Sequence, residues 1–460
     1  MPGGPTPTQP MSTCTLHPLP YRADPAYWFE RIRHAPGAVL LDSGRPQAER
    51  GRYDLLSAWP QQLLQPATDD SAESYFQRLR EALQQLGPAV APEGCELPFV
   101  GGLIGLFSYD FGRLLENMPE QARPDIDLPL ARFGLYPWAL ITDHQKRSSQ
   151  LVFHPALTMS ERERLVRLFY SPLSSTETSA PFTLLAPFAA DLHKDDYRQA
   201  IERIQRYIQA GDCYQVNFAQ RFRTAYAGDP WTAYQALRAA CPTPYAGFIA
   251  LEHGAVLSQS PERFLRLHQG SVETRPIKGT RPRGQDPHSD AAQAQGLLES
   301  KKDRAENLMI VDLLRNDLGR SCRIGSVQVP ELFALESYPN VHHLVSCVSG
   351  QLADDKDAFD LLAGSFPGGS ITGAPKIRAM QIIDELEPTR RTIYCGSLLY
   401  IDVRGEMDSS IAIRTLLAQS GQISCWGGGG IVADSEWHAE YQESIDKVKV
   451  LLETLEGLKP

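Results

Sequence analysis

Thr274-Arg275-Pro276-Ile277-Lys278-Gly279-Thr280-Arg281-Pro282-Arg283-Gly284 sets one lysine between a proline-stiffened approach and a glycine, with Arg275, Arg281 and Arg283 close by. Pro276 restricts the backbone ahead of the lysine, and Gly279 lets the chain turn tightly behind it. The chain of 460 residues nevertheless carries a formal net charge of −10. A basic focus on an acidic protein suits capture of a small anion better than a nucleic acid. A solvated basic loop has the same composition, so this stretch must be weighed with the acidic and glycine-rich motifs downstream.

The bulk numbers narrow the class. With 42% hydrophobic residues, the chain can bury the core of two ordinary domains or of one large body. A pI near 5.6 argues against nucleic acid or an anionic membrane as the main partner. Cysteines 14, 95, 213, 241, 322, 347, 395 and 425 form no Cys-x-x-Cys pair, which suits reduced thiols in a cytoplasmic protein. Met1–Pro20 is rich in Pro, Thr and Gly without a charged or apolar signal region, and is expected to be a disordered leader. The apolar run Leu97–Phe111 is broken by Gly101, Gly102, Gly105 and Asp110 and is too short to cross a bilayer.

Periodicity gives the coarse organisation. Phe76, Leu79, Leu83 and Leu86 make a helical stripe ended by Gly87-Pro88, and Val100–Asp110, Trp138–Asp143 and Gln150–His154 read as strands. The Ser/Thr/Pro-rich segment from Ser171 marks a boundary, dividing residues 21–170 from 191–460 with a linker at 171–190. Tyr197, Ile201, Ile204 and Ile208 then line one face of a helix capped by Asp195 and stopped by Gly211. Strands are expected at Tyr214–Phe222, Ala246–Leu251, Val256–Ser260, His343–Val348, Gly396–Asp402, Ser410–Leu417 and Gln422–Trp426. Helices are expected at Ala291–Leu314, Ala358–Ala363, Ala374–Glu385 and His438–Leu455, so the class is α+β.

Several side chains stand out chemically. Glu306 lies on the same helical face as Met309 and Leu313, where an unpaired charge is costly and a metal ion is one way to satisfy it. Glu440, Glu443 and Lys447 share one stripe of the last helix. They suit either a surface ion pair or, with Glu306, a hard-oxygen site for Mg²⁺. Gly427–Gly430 and Pro367–Lys376 are glycine-rich runs that could cradle an anion or merely turn the chain. Neither has the Gly-Lys-Ser or Gly-Lys-Thr of a P-loop.

Together these blocks closely resemble the chorismate-utilising enzymes, the group of anthranilate, isochorismate, salicylate and aminodeoxychorismate synthases. The resemblance runs through SPERF at 260–264, PIKGT at 276–280, KDRAENLMIVDLLRNDLGR at 302–320 and HLVS at 343–346. It continues in PGGSITGAPKIRAMQIIDELEP at 367–388, Arg414 within IAIRTL, GGGIVADS at 428–435 and EYQES at 440–444. LPFVGGLIGLFSYDFGR at 97–113 extends it into the first part of the chain. It implies a core of two large sheets in a β-sandwich with helices packed outside.

The lysine selects the branch. Anthranilate synthases typically carry PIAGT, whereas PIKGT resembles the aminodeoxychorismate synthase branch. There the lysine amine adds at C2 of chorismate and displaces the C4 hydroxyl, after which ammonia attacks C4 and expels the lysine. By resemblance Lys278 is that nucleophile, Glu262 the general acid and base, and Glu306, Glu440 and Glu443 the Mg²⁺ ligands. A lysine amine must lose its proton to attack, from an ordinary pKa of about 10.4; Arg275, Arg281 and the metal are expected to favour that loss. An ion pair with Arg263 or Arg266 is the structural alternative for Glu262.

The resemblance further implies that Arg414, Tyr394, Lys447 and the Gly429–Gly430 backbone grip the substrate carboxylates, with Ser370, Thr372, Thr280 and His343 lining the site. His343 also suits a hydrogen-bonded core histidine. Ser43, Arg50, Gly51, Arg52 and Tyr53, with Pro244, Tyr245 and Ala246, resemble the L-tryptophan pocket of these synthases. No cysteine sits in a Gly-x-Cys-x-Gly turn. Ammonia is therefore expected from a separate glutamine amidotransferase subunit forming a heterodimer, or from solution, on the way to p-aminobenzoate and folate. The alternatives are an anthranilate synthase large subunit and a non-catalytic tryptophan-binding regulatory module.

Overall fold

The computed structural model describes residues 12–48, 51–172, 180–337 and 341–458; Arg50, residues 1–11 of the expected leader and 173–179 of the expected linker lie outside them. The strands assemble into two large antiparallel sheets of 13 and 10 strands. Along its main path the first runs Thr183–Leu184, Gln215–Ala227, Gln422–Ile431, Thr415–Gln419, Gly254–Ser260, Tyr245–Leu251, Val39–Asp42, Tyr53–Ser57, Trp138–Asp143, Ser148–Phe153 and Thr15–Leu19. The second runs Ile277–Pro282, Val341–Gln351, Ser271–Thr274, Arg263–His268, Met407–Ile411, Ser397–Asp402, Gly102–Phe107, Ala131–Tyr136 and Gln62–Leu64.

Successive side chains of a strand point to opposite faces, and the first sheet uses both. Val39, Leu55, Val256 and Leu417 enter one core with Leu106, Leu265 and Leu399 of the second sheet. Their neighbours Leu40, Leu56, Leu257 and Leu416 face the other way. There they meet Trp231, Tyr234 and Leu237 of the helix Pro230–Ala240, and Leu451 and Leu455 of the last helix, Trp437–Glu456. The sheets are sewn from both parts of the chain. Val39–Asp42 pairs with Tyr245–Leu251, and Gly102–Phe107 pairs with Ser397–Asp402.

The chain passes between the sheets at Ser260–Arg263 and returns at Ile411–Thr415, and the two crossings run side by side. Ser260 Oγ donates to the Ile411 carbonyl at 2.6 Å, Ile411 N–H to the Glu262 carbonyl at 3.0 Å, and Gln259 N–H to the Arg414 carbonyl at 2.9 Å. SPERF and IAIRTL therefore meet as one structural unit.

Four expectations need correction. Residues 12–13 and 15–19, expected in the leader, are strands; Thr15–Leu19 pairs with Ser148–Phe153 because Leu19 closes over the core. The helix expected over Ala291–Leu314 is two helices, Pro287–Glu299 and Lys301–Gly319, broken where Ser300 turns extended and accepts from Asp303 N–H as an N-cap. The strand expected over Ser410–Leu417 is the end of one strand and the start of another in the opposite sheet. Arg414 stands between them at φ 49°. Gly427–Gly430 is not a turn but part of the strand Gln422–Ile431. A Cβ on Gly427 would lie 1.9 Å from the Ser444 carbonyl, so glycine here lets the last helix rest on the strand.

Candidate active site

A cavity of about 790 Å³ opens where the two sheet crossings, the Lys301–Gly319 helix and the last helix converge. Its wall includes Glu262, Lys278, Thr280, Glu306, His343, Ser370, Tyr394, Arg414, Gly430, Glu440, Glu443 and Lys447. Residues from distant motifs are thus brought to one place. The register of Ile277–Pro282 against Val341–Gln351 slips between Ile277 and Thr280. Gly279 takes φ 81° at that bulge, where a Cβ would approach Leu297 and Asp303 to about 3 Å. A bulge of this kind re-aims the neighbouring side chain, here Lys278.

Lys278 Nζ donates to the Ser370 carbonyl at 2.9 Å, and Ser370 Oγ donates to Glu262 Oε1 at 2.9 Å. One short turn, Gly369–Ile371, therefore holds both groups. Burial pushes the Glu262 carboxyl up to about 7, against the opposing pull of Lys278, the Ser370 hydroxyl and the Ile277 amide. Burial lowers the Lys278 pKa, opposed by the carboxylates of Glu306 and Glu262 and reinforced by Lys447. The expected influence of the flanking arginines is a correction: Arg275 is paired with Glu331 and Glu336, and Arg281 with Asp303. Burial shifts the lysine instead. Arg263, one of the two suggested structural partners of Glu262, is paired with Asp408 and Glu273, and Arg266 lines a separate cavity.

The acidic wall comes from two helices. Glu440 is buried, accepts from Ser435 Oγ at 2.7 Å and is pushed up by burial, as is the Glu306 carboxyl. Burial raises Glu443 too, but Lys447, with Lys302 and Lys278, outweighs it and leaves the carboxyl below its ordinary value; Glu443 and Lys447 pair at 2.7 Å. A Cβ on Gly429 would stand 3.2 Å from Glu443 Oε1 and 3.3 Å from Glu440 Oε2, so this glycine keeps space open before both carboxylates. Among the described residues no three acidic or imidazole groups are already gathered at metal-binding distance. The oxygen-only donors nevertheless fit the preference of a hard divalent cation.

Lys447 Nζ also donates to the Gly428 carbonyl at 2.8 Å. The neighbouring strand Thr415–Gln419 meets this strand only over Gln422–Cys425, so Gly427–Gly430 has no strand partner on that edge among the described residues. Arg414 lines the cavity with no carboxylate partner among the described residues. An uncompensated guanidinium in a cleft is suited to a bidentate carboxylate. Tyr394 is buried and stacks on Trp426 with ring centroids 6.1 Å apart. His343 Nδ1 lies 2.9 Å from Thr280 Oγ1, and burial, with Arg414, lowers its pKa to about 4. Thr372 stands back from the wall, its hydroxyl donating to the Gly368 carbonyl at 3.0 Å.

A second cavity of about 600 Å³ collects Gly51, Arg52, Tyr53, Pro244, Tyr245 and Ala246. Ser43 is buried away from it, bonding Asp54 Oδ1 through Oγ at 2.6 Å and through its amide at 2.8 Å. Arg263 and Arg275 face this cavity while Glu262 and Lys278 face the first, so one group of strands separates the two.

The motif reading passed over Asn217, Lys302 and Trp426, all on the wall of the first cavity. Asn217 left a signal, as a polar residue between Val216 and Phe218 on a buried strand. Lys302 opens the block KDRAENLMIVDLLRNDLGR, but nothing set it apart there from the other charges of its helix.

Known proteins resemble the chain in sequence and in fold. A family model described as chorismate binding enzyme matches residues 37–453. The chain is 49% identical over 453 residues to aminodeoxychorismate synthase component 1 of Klebsiella aerogenes, covering 95% of this chain and 98% of that protein. It is 47% identical over 449 residues to the protein of the same name from Escherichia coli (strain K12), covering 95% and 98%. Among solved structures, anthranilate synthase component I from Streptococcus pneumoniae TIGR4 aligns with a TM-score of 0.77 at 30% identity, over 87% of this chain and 92% of that one.

Proposed function

The chain belongs to the chorismate-binding enzymes, and on that premise we propose that it aminates chorismate at C4 to give 4-amino-4-deoxychorismate. The observation that carries this reading is the Lys278–Ser370–Glu262 link, which sets an amine of lowered pKa beside a carboxyl poised near neutrality. Neutral Lys278 Nζ adds at C2 of the ring, both ring double bonds shift towards C4, and the C4 hydroxyl leaves as water with the proton of Glu262. Ammonia then adds at C4, both ring double bonds shift back, and Lys278 departs from C2 as the neutral amine. Glu262, now a carboxylate, takes the proton that ammonia loses.

Arg414 and the open edge of Gly427–Gly430 are suited to holding the substrate carboxylates, with Tyr394, Lys447, Thr280 and His343 around them. Glu306, Glu440 and Glu443 would hold Mg²⁺, which when bound offsets the charge of the ring carboxylate. Ammonia would come from a glutamine amidotransferase partner, as the name component 1 of the relatives suggests. The product would feed p-aminobenzoate formation. The second cavity supports L-tryptophan as a further ligand, since it gathers most of the residues resembling that pocket.

Incubating the purified chain with chorismate, ammonium and Mg²⁺, and resolving the products by liquid chromatography and mass spectrometry, tests this reading. 4-Amino-4-deoxychorismate is expected. Anthranilate as the product, or turnover undiminished in Lys278→Ala, contradicts it.

A further inference from the structure

Arg391 is the largest fully buried side chain among the described residues, and it lies outside the motif residues given a catalytic role. It forms a bidentate pair with Glu387, through Nε to Oε2 at 2.9 Å and Nη2 to Oε1 at 2.6 Å. A charge taken this far from water persists only when its partners are well placed. The remaining donors go to main-chain carbonyls of the cavity wall: Nη1 to Ile371 at 3.1 Å and Nη2 to Asn217 at 2.5 Å. Asn217 Nδ2 donates to the same Ile371 carbonyl at 2.9 Å, and Asn217 N–H to that of Thr372 at 2.8 Å. Glu387 is fixed in turn by Ala219 N–H at 2.9 Å.

Ile371 directly follows Ser370, whose carbonyl and hydroxyl hold Lys278 and Glu262. The guanidinium also lies over the rings of Tyr109 at 4.8 Å and Tyr394 at 5.5 Å, the latter on the cavity wall. An apolar side chain of equal volume would fill this space, but it would not aim the two carbonyls.

We propose that Arg391, locked by Glu387, is a positioning residue that fixes the Ser370 turn and so the relative placement of the Lys278 amine and the Glu262 carboxyl. This rests on the catalytic reading of that pair. Displacing reacting groups by about 1 Å can cost ~10²-fold in rate. Arg391→Lys retains the charge and loses the fork, so kcat is expected to fall at least tenfold, on the order set by such displacements, with chorismate KM nearly unchanged. The limbs of the pH–kcat profile should move as well. Arg33→Lys is the control: Arg33 is another buried arginine, paired with Glu30 and Asp229 away from the cavity. It is expected to lower Tm and leave kcat and the pH profile alone.

An Arg391→Lys protein that folds and matches Arg33→Lys in kcat, KM and pH profile overturns the proposal. If Arg391→Lys does not fold, Glu387→Gln reads the same split, and an unchanged kcat there overturns the proposal equally. A wild-type chain that does not aminate chorismate at all would instead sink the reading beneath it.

Discussion

Ser370 Oγ donates to Glu262 Oε1 at 2.9 Å while the same residue's carbonyl receives Lys278. The hydroxyl bond favours the charged carboxylate and works against burial, which holds the group near 7. Ser370→Ala should therefore raise the Glu262 pKa further and move the descending limb of the pH–kcat/KM profile to higher pH. A roughly tenfold loss of kcat/KM is expected, the scale of one charge-assisted hydrogen bond. An unmoved limb would dissociate Glu262 from that limb.

Glu262 also makes a prediction about stability. Its folded pKa of about 7 exceeds the ordinary 4.5, so the folded chain binds the proton more tightly than the unfolded chain does. The contribution is complete below pH 4.5 and is lost as pH rises through 7. Glu262→Gln should thus stabilise the protein above that window, by on the order of 3 kcal/mol. The advantage should shrink towards pH 4.5. Chemical denaturation across that range is the check, and a difference independent of pH would contradict it.

Arg414 stands at the sheet crossing with no carboxylate partner among the described residues, and its backbone already carries φ 49°. Arg414→Lys keeps a cation and loses the two-pronged donor. Chorismate KM or Kd should rise about tenfold or more, the scale of a lost bidentate bond, while Tm changes little. Isothermal titration with chorismate and the Lys278→Ala background, where turnover is blocked, gives the clean measurement.

The glycines of the strand Gln422–Ile431 are predicted to differ. Gly427→Ala would meet the Ser444 carbonyl at 1.9 Å and should cost about 2 kcal/mol or more through forced repacking. Gly429→Ala meets only the ends of the flexible side chains of Glu443, Glu440 and Lys447, at 3.2, 3.3 and 3.5 Å. It should keep its Tm and raise the Mg²⁺ concentration needed for half-maximal rate, as Glu440→Gln should. Equal loss of Tm in the two alanine variants would contradict this assignment.

The motifs made Glu262, Lys278, Glu306, Arg414, Glu440 and Glu443 legible, because the resemblance preserves short ordered blocks around each. What the motifs hid is how they meet. Ser410–Leu417 reads as a single strand, yet Arg414 takes a left-handed turn and the run changes sheets, a tertiary event that no local break signal marks. The glycine run reads as a turn from composition, although its glycines serve helix-on-strand contact. Glu387 and Arg391 have the i, i+4 spacing of a helical ion pair, but Pro388 follows the glutamate and makes the stretch read as loop. The arginines around Lys278 mislead in the other direction: each has its own carboxylate, and burial supplies the shift that the local charge seemed to offer.

The most direct test is intact-protein mass spectrometry of rapidly quenched mixtures of the chain with chorismate and Mg²⁺, without ammonia. The account predicts an adduct carrying the chorismate ring less one water, mapped to Lys278 by peptide sequencing, absent from Lys278→Ala and discharged by ammonia to 4-amino-4-deoxychorismate. Amination at C4 proceeding at the wild-type rate in Lys278→Ala, with no adduct at any quench time in the wild type, would contradict it.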